Sequence, residues 1–384
     1  MSTRKPEETS GTKRIAFSVA LLLFVGLAIE GIAWFGGVQL SRRGLLYAPQ
    51  PANGYASYLS RRDAVLGWPP PGAFGTDGKY DEWGSRIVPA FPDGRDACVS
   101  LYGDSYTWSE EVGPEDAWSN VLSQLLGCRV SNYGVGGYGT DQAYLRFTRN
   151  VRDTARIVVL VHFPGDIVRN VTQFRTLVTG APQFDLKPRY VLKTDGQLEL
   201  VPMPDLSEEE YLRMVEEPEA FLRHEFFLPG GPSGLRRLAF PYTGSVVRAA
   251  RHPRIAAKLG GNVPYADFYD REHPSGALVL TAEIMRRFHA DAIAAGRFPI
   301  LVVLPDIEEL ERFRREGTWT YQSLLDLLDE RAVPCLNLGP DLLERLGARE
   351  PRELAGGRKH YNAEGYRMVA DAVFGHMKSE GLLR

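Results

Sequence analysis

The eleven residues Cys98-Val99-Ser100-Leu101-Tyr102-Gly103-Asp104-Ser105-Tyr106-Thr107-Trp108 decide the fold of this 384-residue chain. A short apolar, β-compatible run stops abruptly at Gly103-Asp104-Ser105. A buried parallel strand ends in this way at its carboxyl edge, where open α/β sheets place their ligands. Gly103 permits a tight turn and Asp104 can bond the local backbone. Ser105 is left near the crest, as a nucleophile would be. Gly, Asp and Ser are also ordinary turn residues, so these three alone do not separate a nucleophile from a plain turn.

Working outward, the same alternation repeats. A helix is predicted from about Glu115 to Leu126, stopped by Gly127. Cys128–Tyr133 reads as a second strand. It runs into Gly134-Val135-Gly136-Gly137-Tyr138-Gly139-Thr140-Asp141-Gln142, where four glycines imply close backbone approach or positive φ. Gly134, Gly136 and Gly139 have the G-x-G-x-x-G spacing, which without its wider βαβ context does not by itself make a dinucleotide loop. A helix from Gln142 to Val151 follows. Ala155–Phe163 is the clearest strand, a run rich in β-branched residues that should be covered on both faces, and it ends at Pro164-Gly165-Asp166. Arg297–Pro305 is a fourth strand, after a helix from Thr281 to Ala295. Ala332–Leu338 is a fifth, after a helix around Tyr321–Glu330. A last helix starts near Asn362, with Met368, Val369, Ala372 and Val373 on one stripe. Strands alternating with helices predict an α/β fold with a central parallel sheet of about five strands and right-handed crossovers.

Residues 171–280 break the rhythm between strands three and four. They hold an expected hairpin, Tyr190–Lys193 with Leu198–Val201 around Asp195-Gly196, and a short helix capped by Ser207 with Glu210. A segment this long is either a lid that meets the ligand or a structural elaboration.

Composition is that of a globular protein, 44% hydrophobic and 24% charged, with a net charge of −3. No like-charge block suggests a nucleic-acid partner. Cys98, Cys128 and Cys335 lie far apart, and buried free thiols are expected rather than a disulfide framework. The N-terminus is more telling. Arg4, Lys5, Lys13 and Arg14 precede an apolar run of about 24 residues, roughly 36 Å as a helix, against a bilayer core of about 30 Å. It exceeds a usual signal-peptide core and lacks a clear small-x-small cleavage site. The expected organisation is a cytoplasmic tail over 1–14, a transmembrane helix over 15–38, a juxtamembrane leader over 39–96 and a catalytic-type domain over 97–384. Basic residues ahead of the span favour export of everything after it, although Arg42 and Arg43 lie on the far side. Glu30, inside the run, needs a partner, a route to the interface or a facing helix. In the leader, Pro69-Pro70-Pro71 excludes regular helix or central strand. Trp68 and Trp83 belong either to the domain surface or to the bilayer surface.

The Gly103-Asp104-Ser105 strand end, the Asn132–Gln142 glycine loop, and His360 ahead of a C-terminal amphipathic helix together resemble the SGNH (GDSL) hydrolase superfamily. Residues 95–170 and 295–384 carry the likeness in order. The chain is most similar to membrane-anchored bacterial members, through Leu66-Gly67-Trp68, Gly84-Ser85-Arg86 and Lys187-Pro188-Arg189-Tyr190 as well. The resemblance implies a flavodoxin-like three-layer sandwich. It also implies Ser105 as nucleophile, His360 as general base, and the amides of Ser105 and Gly137 as oxyanion donors. Asp104 and Asp166 are candidates for supporting roles. A serine hydroxyl needs a base to take its proton, and the tetrahedral oxyanion needs pre-placed donors.

Two positions depart from the pattern. Gly165 stands where the family presents an oxyanion-binding Asn. Gly357 stands where it presents the Asp that orients the histidine, and Glu353 or Asp341 are the candidates to replace that Asp. His162, near the end of strand three, reads as a satisfied core histidine. The resemblance implies neither metal nor organic cofactor. The expected reaction is ester hydrolysis or acyl transfer by a Ser–His mechanism. The expected substrate is an acylated small molecule or carbohydrate of the cell envelope, reached from a bacterial inner-membrane tether with the domain outside the cytoplasm. The alternative is a pocket of the same family that binds glycan or a partner without turnover.

Overall fold

A computed structural model describes residues 11–48, 54–75, 78–93, 95–179, 186–251, 265–357 and 359–383. Five strands form one parallel sheet: β1 (Val99–Tyr102), β2 (Val130–Asn132), β3 (Ile157–His162), β6 (Phe298–Val303) and β7 (Leu336–Asn337), in the order β2-β1-β3-β6-β7. Counting only these strands, the order is 2-1-3-4-5, that of flavodoxin-like doubly wound sheets. Two further strands, β4 (Arg189–Leu192) and β5 (Leu198–Val201), pair antiparallel around Asp195-Gly196 as the hairpin inside the insertion. The α/β expectation and the hairpin both hold.

The sheet centre is apolar because its strands are. Every residue of β1, β2 and β3 is buried. The register runs Val99 opposite Ile157 and Tyr102 opposite Leu160, so β1 and β3 end nearly level. The chain leaves β1 toward β2 on one side, and leaves β3 toward β6 on the other. With right-handed crossovers, helix Trp118–Leu126 covers one face, and helices Thr140–Arg149, Ala277–Ala294 and Gln322–Glu330 cover the other. The C-terminal helix Ala363–Ser379 packs beside Trp118–Leu126. The reversal between β1 and β3 is the switch point where such sheets bind ligands, and Ser105 and Gly165 both follow it.

Some boundaries differ from the sequence reading. The fifth strand is only Leu336–Asn337, since Pro334 and the short approach leave little to pair beyond β6. Helix Ile307–Glu316 was not anticipated. Asp306 starts it by accepting the Glu309 amide at 2.8 Å. The expectation of free thiols at Cys98 and Cys128 is wrong: they form a disulfide. Strands β1 and β2 are neighbours, and Cys98 N–H donates to the Arg129 carbonyl at 3.0 Å. That register brings the two Cα atoms to 6.1 Å, within bonding range. Cys335 remains a thiol, pushed up to about 12 by burial.

The N-terminal helix runs Gly11–Arg42 and is long and apolar enough to cross a membrane. It is exposed through residues 13–29 and is increasingly covered from Glu30 onward. Glu30 faces a partner helix, Tyr242–Ala250 of the insertion. Its carboxylate accepts from Thr243 Oγ and from the amides of Tyr242 and Thr243, which open that helix and lack acceptors of their own. Trp68 lies on the domain, donating its indole N–H to the Gly136 carbonyl at 3.0 Å. Trp83 lies there too, under the Arg152 guanidinium.

Candidate active site

Ser105 opens a single helical turn, Ser105–Trp108, so its amide has no intrahelical acceptor. Asp104, fully buried, caps that turn by accepting the Tyr106 amide at 2.9 Å. The loop after β2 lies against the turn. A Cβ at Gly134 would stand 2.5 Å from the Trp108 nitrogen and 2.9 Å from the Asp104 carbonyl oxygen, so only glycine permits this approach. Gly137 has φ 80°, a left-handed value that glycine adopts without strain. It lines the same cavity as Ser105.

His360 reaches the serine from the other end of the chain. Its loop closes through the Gly356 amide to the His360 carbonyl at 2.7 Å. Asn362 caps the following helix at the Gly365 amide, and Tyr361 O–H anchors the loop to the Pro305 carbonyl beyond β6. The ring of Tyr106 packs beside the imidazole at 4.7 Å between centroids. His360 Nε2 then stands 2.9 Å from Ser105 Oγ.

The carboxylate behind the histidine is Glu111, which the sequence reading did not single out. Its Oε1 lies 3.1 Å from His360 Nδ1 and accepts the Lys359 amide at 3.1 Å. A carboxylate only accepts, so Nδ1 carries the proton and Nε2 is free to take one from Ser105. The candidates Glu353 and Asp341 are both elsewhere. Glu353 bonds the Glu350 amide, and Asp341 pairs with Arg345. Gly357 now has a physical reading. A Cβ there would sit 3.8 Å from Glu111 Oε2, and one at Gly356 only 2.7 Å away. The glutamate fills the space that a side chain from the histidine loop would need.

Glu111 reaches back because the chain turns sharply after Trp108. Ser109 and Glu111 both take positive φ, 64° and 75°. Arg86 holds that turn, its guanidinium donating to the carbonyls of Trp108, Ser109 and Val112. The Gly84-Ser85-Arg86 stretch of the leader thereby becomes part of the site. Burial lowers the Arg86 guanidinium to about 10, still charged at neutral pH.

Ser105, Tyr106, Gly137 and His360 line an open cavity of about 710 Å³. Arg175, Val178 and Tyr265 from the insertion contribute to its wall, so the insertion does meet the site. Asp306 lines it too, its carboxyl pushed up to about 7 by burial. Asp166 is buried and raised well above the carboxylate range, by desolvation first and then by Asp104. His162 is not in the cavity lining. Thr140 Oγ at 2.7 Å and Tyr269 O at 2.9 Å satisfy its two nitrogens, and burial drops it to about 3, so it stays neutral. Asn170 bonds the Asp141 amide and Thr281 and shapes the loop.

The chain matches no protein-family model and no curated protein. Among solved structures it is similar to an alpha/beta hydrolase enzyme from the metagenome of Lake Arreo, Spain, at 13% identity over 74% of this chain and 95% of that one, with a TM-score of 0.38. A protein placed in the G-D-S-L lipolytic family from Desulfitobacterium hafniense is similar at 13% identity over 73% and 99%, TM-score 0.35. A member of the lipolytic G-D-S-L family from Veillonella parvula is similar at 11% over 73% and 97%, TM-score 0.32. The fold class stands on the strand order itself.

Proposed function

We propose that this chain is a membrane-tethered serine esterase or O-acyltransferase. The observation that carries the reading is the line Ser105 Oγ, His360 Nε2, His360 Nδ1, Glu111 Oε1, with steps of 2.9 and 3.1 Å across the two hydrogen bonds. Serine, histidine and carboxylate in that relation are recognised by geometry and not by position in the chain.

Ser105 Oγ attacks the carbonyl carbon of an ester while its proton passes to Nε2. The carbonyl π pair moves onto oxygen, which the Ser105 and Gly137 amides receive. The intermediate collapses, the C–O bond to the alcohol breaks, and the leaving alkoxide takes the proton from Nε2. Water, or a second alcohol, then gives a proton to His360 and attacks the acyl-serine. Acid or a new ester leaves, and Ser105 regains its proton. Glu111 stabilises the imidazolium formed twice in this cycle.

The N-terminal helix supports a single-pass anchor, and the basic residues ahead of it support a domain outside the cytoplasm. The Cys98–Cys128 disulfide is independent support for that side, since such bonds persist in oxidising compartments. An acylated carbohydrate of the cell envelope follows from that location and from the family resemblance. The alternative, a binding pocket without turnover, drew on glycine at both 165 and 357, where the family has Asn and Asp, and Glu111 beside His360 weakens the second of these grounds. The test uses the full chain in detergent micelles with p-nitrophenyl acetate. Release of nitrophenol by the parent and its loss in Ser105→Ala are expected. Equal rates in the two proteins remove Ser105 from the mechanism.

A further inference from the structure

We infer that Arg169 is a third oxyanion-stabilising group, a fixed cation beside the two backbone amides; this rests on the esterase reading above. Charge around the serine makes such a group necessary. Asp104 Oδ2 lies 3.5 Å from Ser105 Oγ, and Glu110 Oε2 lies 3.6 Å from His360 Nε2. An oxyanion forming there meets negative neighbours, and a cation in a partly dry site offsets them far better than in water.

Arg169 is the cation in place. It lines the cavity together with Ser105, Gly137 and Gly165. Its Nη1 donates to Asp104 Oδ2 at 3.0 Å, to Asp166 Oδ1 at 2.6 Å and to the carbonyl of Tyr138, next to Gly137, at 2.8 Å. The lengths 3.0 and 3.5 Å, joined at Asp104 Oδ2, put Nη1 no more than 6.5 Å from Ser105 Oγ. The guanidinium also lies over the Phe163 ring, 5.4 Å from its centroid, and that ring stacks on Tyr106 beside His360. Three acceptors and an aromatic face hold the charge still, as electrostatic preorganisation requires.

Its surroundings keep it protonated. Burial alone would lower Arg169, but Asp166 and Asp104 outweigh that and hold it above its ordinary range. Burial and the neighbouring Asp104 push the Asp166 carboxyl upward. No side chain at 165 competes for the wall, because a Cβ there would lie 2.4 Å from the Phe163 ring. Glycine at this position and a cation one helical turn later are one arrangement.

The experiment measures p-nitrophenyl acetate turnover by the full chain in micelles, for the parent and for Arg169→Ala, with thermal midpoints alongside. Loss of one oxyanion donor costs about 10²–10³-fold in kcat. Arg169→Ala should therefore lose about 10²-fold in kcat with little change in KM, and guanidinium ion, kept below unfolding concentrations, should restore at least about tenfold of it. A merely structural arginine gives no such rescue. A folded Arg169→Ala with parental kcat, or with a loss that guanidinium does not restore, overturns the inference and leaves the esterase reading standing. An inactive parent overturns both. If Arg169→Ala does not fold, the double variant Asp166→Asn, Arg169→Gln removes the cation and its buried acid together and is read by the same criteria.

Discussion

Replacing Glu111 by Gln keeps an oxygen that can accept from both His360 Nδ1 and the Lys359 amide, and removes only the charge. At 3.1 Å, with both side chains about one-seventh exposed, the pair sits between water and a dry interior. An effective dielectric near 20 gives a gross attraction of about 5 kcal/mol for the imidazolium with the carboxylate. Solvent reaching both groups cuts this to about 2–4 kcal/mol of transition-state stabilisation, or about 30- to 900-fold in kcat. Steady-state turnover of an activated ester, fitted for kcat and KM separately, reads it. KM should stay within about threefold, because the imidazolium forms only after binding. The structure adds a rescue. The space beside Gly357 faces the Glu111 carboxylate at 3.8 Å, and Gly357 does not have positive φ. In Glu111→Ala, the second change Gly357→Asp should return a carboxylate to that space and recover at least about tenfold of the lost rate. Parental kcat in Glu111→Gln would refute the assignment of Glu111 to the histidine.

Arg86→Ala should lower kcat about as much as Glu111→Gln and also lower the thermal midpoint, because it frees the carbonyls of Trp108, Ser109 and Val112 that fold Glu111 inward; an unchanged kcat would contradict this. Thiol titration of the unfolded protein should find one reactive cysteine without reductant and three with it, and Cys98→Ser should cost about 3–4 kcal/mol for a loop of 30 residues. Three free thiols before reduction in protein isolated from membranes would place the domain on the reducing side. Asp306 bears on pH. Its folded carboxyl is held at about 7, above the ordinary value near 4. Its stabilising contribution is thus fully present below pH 4 and is lost as pH rises through 7. The stability of Asp306→Asn relative to the parent should therefore grow from pH 4 to pH 8; a flat difference in thermal midpoint would contradict the shift.

The strand–turn reading of residues 98–108 was legible because a largely apolar, β-compatible run stops abruptly at turn residues, and Ser105 stood out as nucleophile only through its order with the glycine loop and His360. His360 was legible from order along the chain, ahead of an amphipathic helix with Asn362 at its start. Glu111 was not. Nothing in Ser109-Glu110-Glu111 marks two left-handed residues, and a glutamate six positions past the serine looks like solvated loop until Arg86 is known to gather that loop. The pair of glycines at 356 and 357 was the available clue, since a histidine loop stripped of side chains leaves room for a carboxylate from elsewhere. The disulfide was missed for a different reason. Cys98 and Cys128 each sit at the threshold of a strand, and the predicted parallel sheet already allowed those strands to be neighbours. Their pairing required the register as well. Arg169 fell on an unremarked turn after β3, where only the cavity gives it meaning.

Activated serine is the centre of the account, and a fluorophosphonate reports it without any knowledge of the substrate. The folded full chain, treated with the probe and digested for mass spectrometry, should carry one adduct, on Ser105, and His360→Ala should take that adduct away. A folded parent that remains unlabelled at Ser105, or labels equally well without His360, would contradict the mechanism.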